Sequence, residues 1–116
     1  VIKLYGLKNC DTCRKALKWL KGEGIQAELH DFRKDGLEAA HLEEWLEQVD
    51  WEILLNRKGT TWRSLNDADK LDVDREKVKR LMLENPSLIK RPVFELGDRI
   101  LVGFKDPEQQ ALRGFK

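Results

Sequence analysis

The chemistry of this chain is set by two cysteines in the segment Lys8-Asn9-Cys10-Asp11-Thr12-Cys13-Arg14. A cysteine attacks or ligates as its thiolate, and a free thiol with a pKa of about 8.5 is mostly protonated at neutral pH. The segment puts Cys10 where a strand has ended and a helix opens. The first turn of a helix has unpaired N–H groups and the positive end of the macrodipole, both of which stabilise a thiolate. Lys8 and Arg14 add positive charge and Asp11 opposes it, so a moderate lowering of the Cys10 pKa is expected. Cys13, one turn later, is expected to pack inward with Ala16 and Leu17 and to resolve a mixed disulfide by attacking Cys10. No metal is expected. Two cysteines are too few for a structural zinc site, and His30 and His41 stand at no finger-like spacing from them.

The elements that must position this pair are legible around it. Val1-Ile2-Lys3-Leu4-Tyr5 reads as a strand ended by Gly6, and Leu7 to Asn9 as a turn. A helix then starts at Asn9 or Cys10 and runs to about Lys21, with Cys13, Ala16, Leu17 and Leu20 on its buried face and Gly22 and Gly24 as its stop. Ile25, Ala27 and Leu29 alternate with polar residues as a second strand, completing the start of a parallel βαβ unit. Asp35-Gly36 is a turn. From Leu37 to Asn85 the pattern is helical, with stripes Leu42-Trp45-Leu46-Val49 and Val78-Leu81-Met82, and a polar loop from Asn56 to Thr61. Pro92–Leu96 and Ile100–Phe104 are strands flanking a hairpin at Gly97-Asp98-Arg99, and Asp106-Pro107 opens a last helix with Asp106 as its cap.

This order predicts a single α/β domain over residues 1–116. The expected fold is thioredoxin-like, with a mixed four-stranded sheet, a core from 1–34 and 87–116, and a helical insertion at 35–86. In such folds a cis-proline faces the reactive cysteine. Pro92, preceded by Arg91, stands where that proline belongs, and Arg91 then aims a guanidinium at an anion near Cys10. The loop Asn56-Arg57-Lys58-Gly59 either lines the cleft or is a solvated turn. Trp19, Trp45, Trp51 and Trp62 fit packing roles. His30 is expected to make ordinary strand hydrogen bonds, and His41 has no evident partner.

Composition narrows the function. The 116 residues are 41% hydrophobic and 37% charged, and the signs nearly cancel to a formal +1. A nucleic-acid or membrane-surface binder would show a clustered basic excess, so neither partner is expected. No apolar run nears the roughly 20 residues that span a bilayer. The opening residues do not read as a secretory leader. Two close cysteines suit a reducing cytoplasm better than a disulfide-stapled secreted domain.

The chain resembles the arsenate reductase (ArsC)/Spx family, and within it the small bacterial YffB-type proteins. The resemblance spans nearly the whole chain. It is carried by Leu4-Tyr5-Gly6 with the cysteine segment, by Leu54-Leu55-Asn56 with Gly59-Thr60-Thr61-Trp62, by Leu88-Ile89-Lys90-Arg91-Pro92, and by Leu101-Val102-Gly103-Phe104. The family's arsenate reductases use one cysteine, matched by Cys10, and three arginines around the oxyanion. Arg91 matches one of them. The second falls where this chain has Asn56 followed by Arg57, and the third falls at Gly103-Phe104, with Lys105 nearby.

The resemblance implies a glutathione-dependent thiol or disulfide reductase in which Cys10 attacks, Arg91 binds a carboxylate and Cys13 resolves. Lys8, Asn9, Arg14, Asn56, Arg57 and Pro92 are expected to contact substrate. Glutathione is the expected co-substrate, with no bound cofactor, glutaredoxin as a further partner, and a monomeric state. Arsenate reduction is an alternative activity. A Spx-like redox-sensing regulator that binds RNA polymerase is the alternative of another class.

Overall fold

The computed structural model describes residues 2–115. Val1, expected to open the first strand, lies outside the described residues. The chain divides into two compact units, one holding residues up to Gly36 together with those from Arg91 on, the other Leu37–Lys90.

The first unit is built on a mixed four-stranded sheet. Its strands are β1 (Ile2–Gly6), β2 (Ala27–Asp31), β3 (Val93–Leu96) and β4 (Arg99–Val102), in the order β2-β1-β3-β4. β1 runs parallel to β2 with Gly6 opposite Asp31, and antiparallel to β3 with Leu4 opposite Phe94. The helix α1 (Asp11–Gly22) links β1 to β2. Cys13, Ala16 and Leu20 recur at helical spacing and are buried in one cluster with Ile2, Leu4, Phe94, Leu96 and Leu112. Gly24 (φ +75°) turns the chain after α1, and Ile25 N–H reaches back to Leu20 O at 2.9 Å. Gly97 (φ +70°) supplies the left-handed residue that the two-residue β3–β4 turn needs.

β2 passes into a one-turn helix α2 (Phe32–Asp35), whose N-terminus is capped by the Asp31 carboxylate through Arg33 N–H and Lys34 N–H. The last helix, α8 (Asp106–Gly114), starts one residue earlier than expected: Lys105 is the cap position and Asp106 the first helical residue. Glu108 closes this turn, accepting the Lys105 N–H at 2.9 Å, so the capping carboxylate comes from inside the helix.

In the second unit the helical run expected from Leu37 to Asn85 is broken into α3 (Ala39–Gln48), α4 (Trp51–Leu54), α5 (Thr60–Ser64), α6 (Asp67–Lys70) and α7 (Arg75–Glu84). The reason is capping chemistry. Asn66 and Asp74 accept N–H bonds from Asp69 and Lys77 at 2.8 and 2.9 Å, so each starts a new helix instead of continuing the last. Thr60 and Thr61, expected in a loop, begin α5. The expected stripes are buried at Leu42, Trp45, Leu46, Val78, Leu81 and Met82. Glu43 binds Arg75 at 2.8 Å and Lys79 at 3.1 Å, tying α3 to α7. Leu55 forms an antiparallel bridge with Ile89, and Lys90 N–H donates to Leu54 O at 2.8 Å. These bonds hold residues 87–90 in this unit, so the chain re-enters the first unit at Arg91.

Candidate active site

Cys10 is the N-cap residue of α1, extended at φ −87° and ψ 122°. The preceding turn is closed by Cys10 N–H donating to Leu7 O at 3.1 Å, and the helix begins with Arg14 N–H donating to Cys10 O at 3.0 Å. This geometry points the half-buried thiol at the mouth of the helix. Burial works to raise its pKa. The Cys13 N–H, the Cys13 thiol, the Arg91 guanidinium and the Thr12 N–H outweigh burial, and the Cys10 thiol titrates below its ordinary value. No first-turn N–H closes a short capping bond on the sulfur, so the N–H groups of Cys13 and Thr12 act at longer range, as the helix dipole does.

Cys13 has the opposite environment. It is buried in the cluster beneath β1, and burial pushes its thiol up to about 12, with the Cys10 charge adding to the rise. Both cysteines are free thiols. At neutral pH Cys13 is therefore protonated and able to donate to its neighbour, and Cys10 is the more readily ionised thiol of the pair.

Arg91–Pro92 is a cis peptide. Arg91 is half-buried and lines a cavity of about 190 Å³ with Leu7, Lys8, Asn9, Cys10, Asp31 and Arg33. The cavity is smaller than the roughly 300–1,000 Å³ of ordinary ligand pockets, and it fits a sulfur with one adjoining charged group. Asp31 joins its walls. One carboxylate oxygen accepts Lys8 N–H from the Cys10 loop at 2.9 Å, and the other accepts Arg33 N–H at 2.8 Å. The Lys8 N–H does most to hold this carboxyl below its ordinary range.

The expected residues divide into three sets. Cys10, Lys8, Asn9 and Arg91 meet at the cavity, with Cys13 beneath Cys10 and Pro92 buried behind Arg91. Arg14 forms an ion pair with Asp11 at a position 61% exposed, so the two charges expected to pull on Cys10 in opposite directions bind each other. The cation that acts on the sulfur is Arg91. Asn56 and Arg57 belong to the second unit. Asn56 Oδ1 accepts Lys58 N–H at 3.1 Å, and Arg57 lies over Trp51 and Trp62, 5.6 and 5.8 Å from the ring centroids.

Asp31 and Arg33 were absent from the expected site. Their signal was topological: Asp31 ends and Arg33 follows the parallel strand beside the cysteine strand, at the end where open α/β sheets place their ligands. His30 Nε2 donates to Gly36 O at 2.8 Å, and its ring lies 4.6 Å from Tyr5. His41, expected without a partner, meets the Trp45 ring edge-on at 5.1 Å. Among the described residues, no group of three or more His, Cys, Asp or Glu could hold a metal. No helix among them is long and apolar enough to cross a membrane.

A cysteine at a helix N-terminus that shares a cavity with the arginine of a cis Arg–Pro bond, on a mixed four-stranded sheet, defines a thioredoxin-like thiol-redox fold. Within that class the sequence matches the ArsC family over residues 5–112, and the chain belongs to that family. It is similar to the solved structure of a YffB protein, with 46% identity, a TM-score of 0.91 and coverage of 97% of this chain and 98% of that one. An uncharacterized protein of Haemophilus influenzae is 43% identical over 96% of this chain and 97% of its own. The global transcriptional regulator Spx of Listeria innocua is 26% identical over 93% of this chain and 83% of that protein.

Proposed function

We propose that this protein is a glutathione-coupled thiol–disulfide reductase in which Cys10 is the attacking group. The observation that supports it is the division of labour within the pair. Cys10 is half-buried, beside Arg91 and below its ordinary pKa, while Cys13 is buried and protonated. The Cys10 thiolate attacks the glutathione sulfur of a mixed disulfide. The S–S bond breaks, the substrate sulfur leaves as a thiolate that takes a proton from water, and Cys10 is left bound to glutathione.

Two routes regenerate Cys10. A second glutathione thiolate can attack the mixed disulfide and leave as oxidised glutathione, or Cys13 can attack and form the Cys10–Cys13 disulfide, which an external thiol or glutaredoxin then reduces. Burial of Cys13 favours the first route. Loss of the Cys10 charge in the mixed disulfide removes one cause of the high Cys13 pKa, and burial, the larger cause, remains. The reading carries with it a monomer in a reducing cytoplasm that uses neither nucleic acid nor membrane.

Turnover of a glutathione mixed disulfide by Cys10→Ser and Cys13→Ser tests this. Cys10→Ser should abolish transfer and Cys13→Ser should keep it. Equal loss in both would mean an obligatory dithiol cycle, and survival of Cys10→Ser would end the proposal. The similarity to Spx supports a second reading, a redox-sensing regulator with the same cysteines as its switch. Capture of RNA polymerase by the intact protein, together with no glutathione turnover, would favour it.

A further inference from the structure

The cavity at Cys10 is lined by three cationic residues, Lys8, Arg33 and Arg91, and by one carboxylate, Asp31. The carboxylate is already engaged: it accepts N–H groups from Lys8, Arg33 and Lys34. These bonds and the charge of Arg33 offset it, so the cavity as a whole attracts anions. They also fix the backbone of Arg33 on a capped turn, while its side chain is exposed at the cavity's rim.

We propose that Arg33 determines specificity, holding the carboxylate of a small anionic thiol beside Cys10 and so selecting anionic disulfides over neutral or cationic ones. This rests on the thiol-transfer reading and narrows its substrate class. Arg91 reaches the cavity from the cis-proline side and Arg33 from α2, directly after β2, so the two arginines line it together with Cys10 from different segments of the chain. A thiol compound with a carboxylate within a few bonds of its sulfur can meet Cys10 and Arg33 together. The forked N–H groups of arginine suit that carboxylate, and a lysine would offer charge without the fork.

The test uses the reduced full-length protein, wild type, Arg33→Gln and Arg33→Lys. Each reacts separately with oxidised glutathione (anionic), bis(2-hydroxyethyl) disulfide (neutral) and cystamine (cationic). In each reaction the Cys10 thiolate attacks one sulfur, the S–S bond breaks, a mixed disulfide forms and the other half leaves as a thiolate. The quantity read is the ratio of second-order rate constants, glutathione over hydroxyethyl disulfide.

Arg33→Gln should lower that ratio about three- to tenfold, the range for one exposed charge-assisted contact, and raise the relative rate with cystamine. Arg33→Lys should fall between. An unchanged ratio, or an equal slowing with all three disulfides, overturns the role of Arg33 and leaves the thiol-transfer reading standing. A wild-type protein whose Cys10 reacts with none of the three overturns the thiol-transfer reading, and the proposal with it.

Discussion

Gly6 leaves the space that the Cys13 sulfur fills: a Cβ built on Gly6 would overlap Cys13 Sγ. Gly6 is the last residue of β1, and Cys13 sits one turn into α1, so the strand and helix close on each other at this point. Gly6→Ala must push Cys13 away or open the strand–helix contact. It should cost about 1–3 kcal/mol, the range for overpacking a filled core. Urea unfolding of Gly6→Ala, Cys13→Ala and the double variant checks this. The double variant should be more stable than the sum of the single losses, because removing the sulfur makes room for the methyl.

The two thiols should separate cleanly in pH. Alkylation of Cys10 by iodoacetamide should rise through a pKa below the ordinary thiol value and then level off, while Cys13 stays unreactive in the folded protein until near pH 12. Stability follows the same signs. Cys13, raised in the fold from 9.0 to about 12, binds a proton more tightly folded than unfolded. Its contribution is complete below pH 9 and lost as pH rises towards 12. Cys10 is depressed in the fold, so its contribution is present above the unfolded value and lost as pH falls through the folded one. Arg91→Gln should move the Cys10 alkylation profile upward, and faster alkylation of Cys13 than Cys10 at pH 7 would reverse the assigned roles.

The sequence carried the sheet, α1 and the placement of Cys10, because each rests on local chemistry: alternation, a glycine stop, and a cysteine between strand and helix; the cis bond at Pro92 followed only from the expected fold. It did not carry the breaks at Asn66 and Asp74, since a capping side chain inside a charged, helix-favouring run looks like any other polar position. Nor did it carry Asp31 and Arg33, whose place beside Cys10 depends on the pairing of Gly6 with Asp31 across parallel strands. The charge acting on Cys10 comes from Arg91, 81 residues away in sequence, while the nearer Arg14 is occupied by Asp11.

Asp31→Ala should loosen the site without touching the sulfur. It removes the cap of α2 and the acceptor of Lys8 N–H at once. Loss of a capping side chain costs about 0.5–2 kcal/mol, and Asp31→Asn, which can still accept, should recover part of it. The carboxyl is depressed in the fold, so its stabilising effect is present above the ordinary value of 3.8 and fades as pH falls through the folded one. Thermal melts at pH 7 and pH 3 should show the difference between wild type and Asp31→Ala shrinking at the lower pH. A constant difference would mean the charge is irrelevant.

Arsenate should be a poor substrate. It is a strongly hydrated anion, and taking it from water requires several charge-assisted hydrogen bonds together, each worth about 1.5–3 kcal/mol. Of the three arginine positions that the resemblance implies, only Arg91 is an arginine lining the Cys10 cavity. Asn56 is neutral, and Arg57 lies against two tryptophan rings. At the third position even the backbone is engaged, because Gly103 N–H donates to Pro92 O at 2.9 Å. Phe104 packs on Trp19 at 5.5 Å and not at the cavity. Two missing contacts weaken binding by about 3–6 kcal/mol, or roughly a hundred- to ten-thousandfold. Gly103 has φ +95°, where a side chain is strained, so Gly103→Arg would confuse binding with folding. Steady-state reduction with glutathione and glutaredoxin should show weak wild-type turnover, while efficient turnover of micromolar arsenate by the wild type would make arsenate reduction the better account of Cys10 and Arg91.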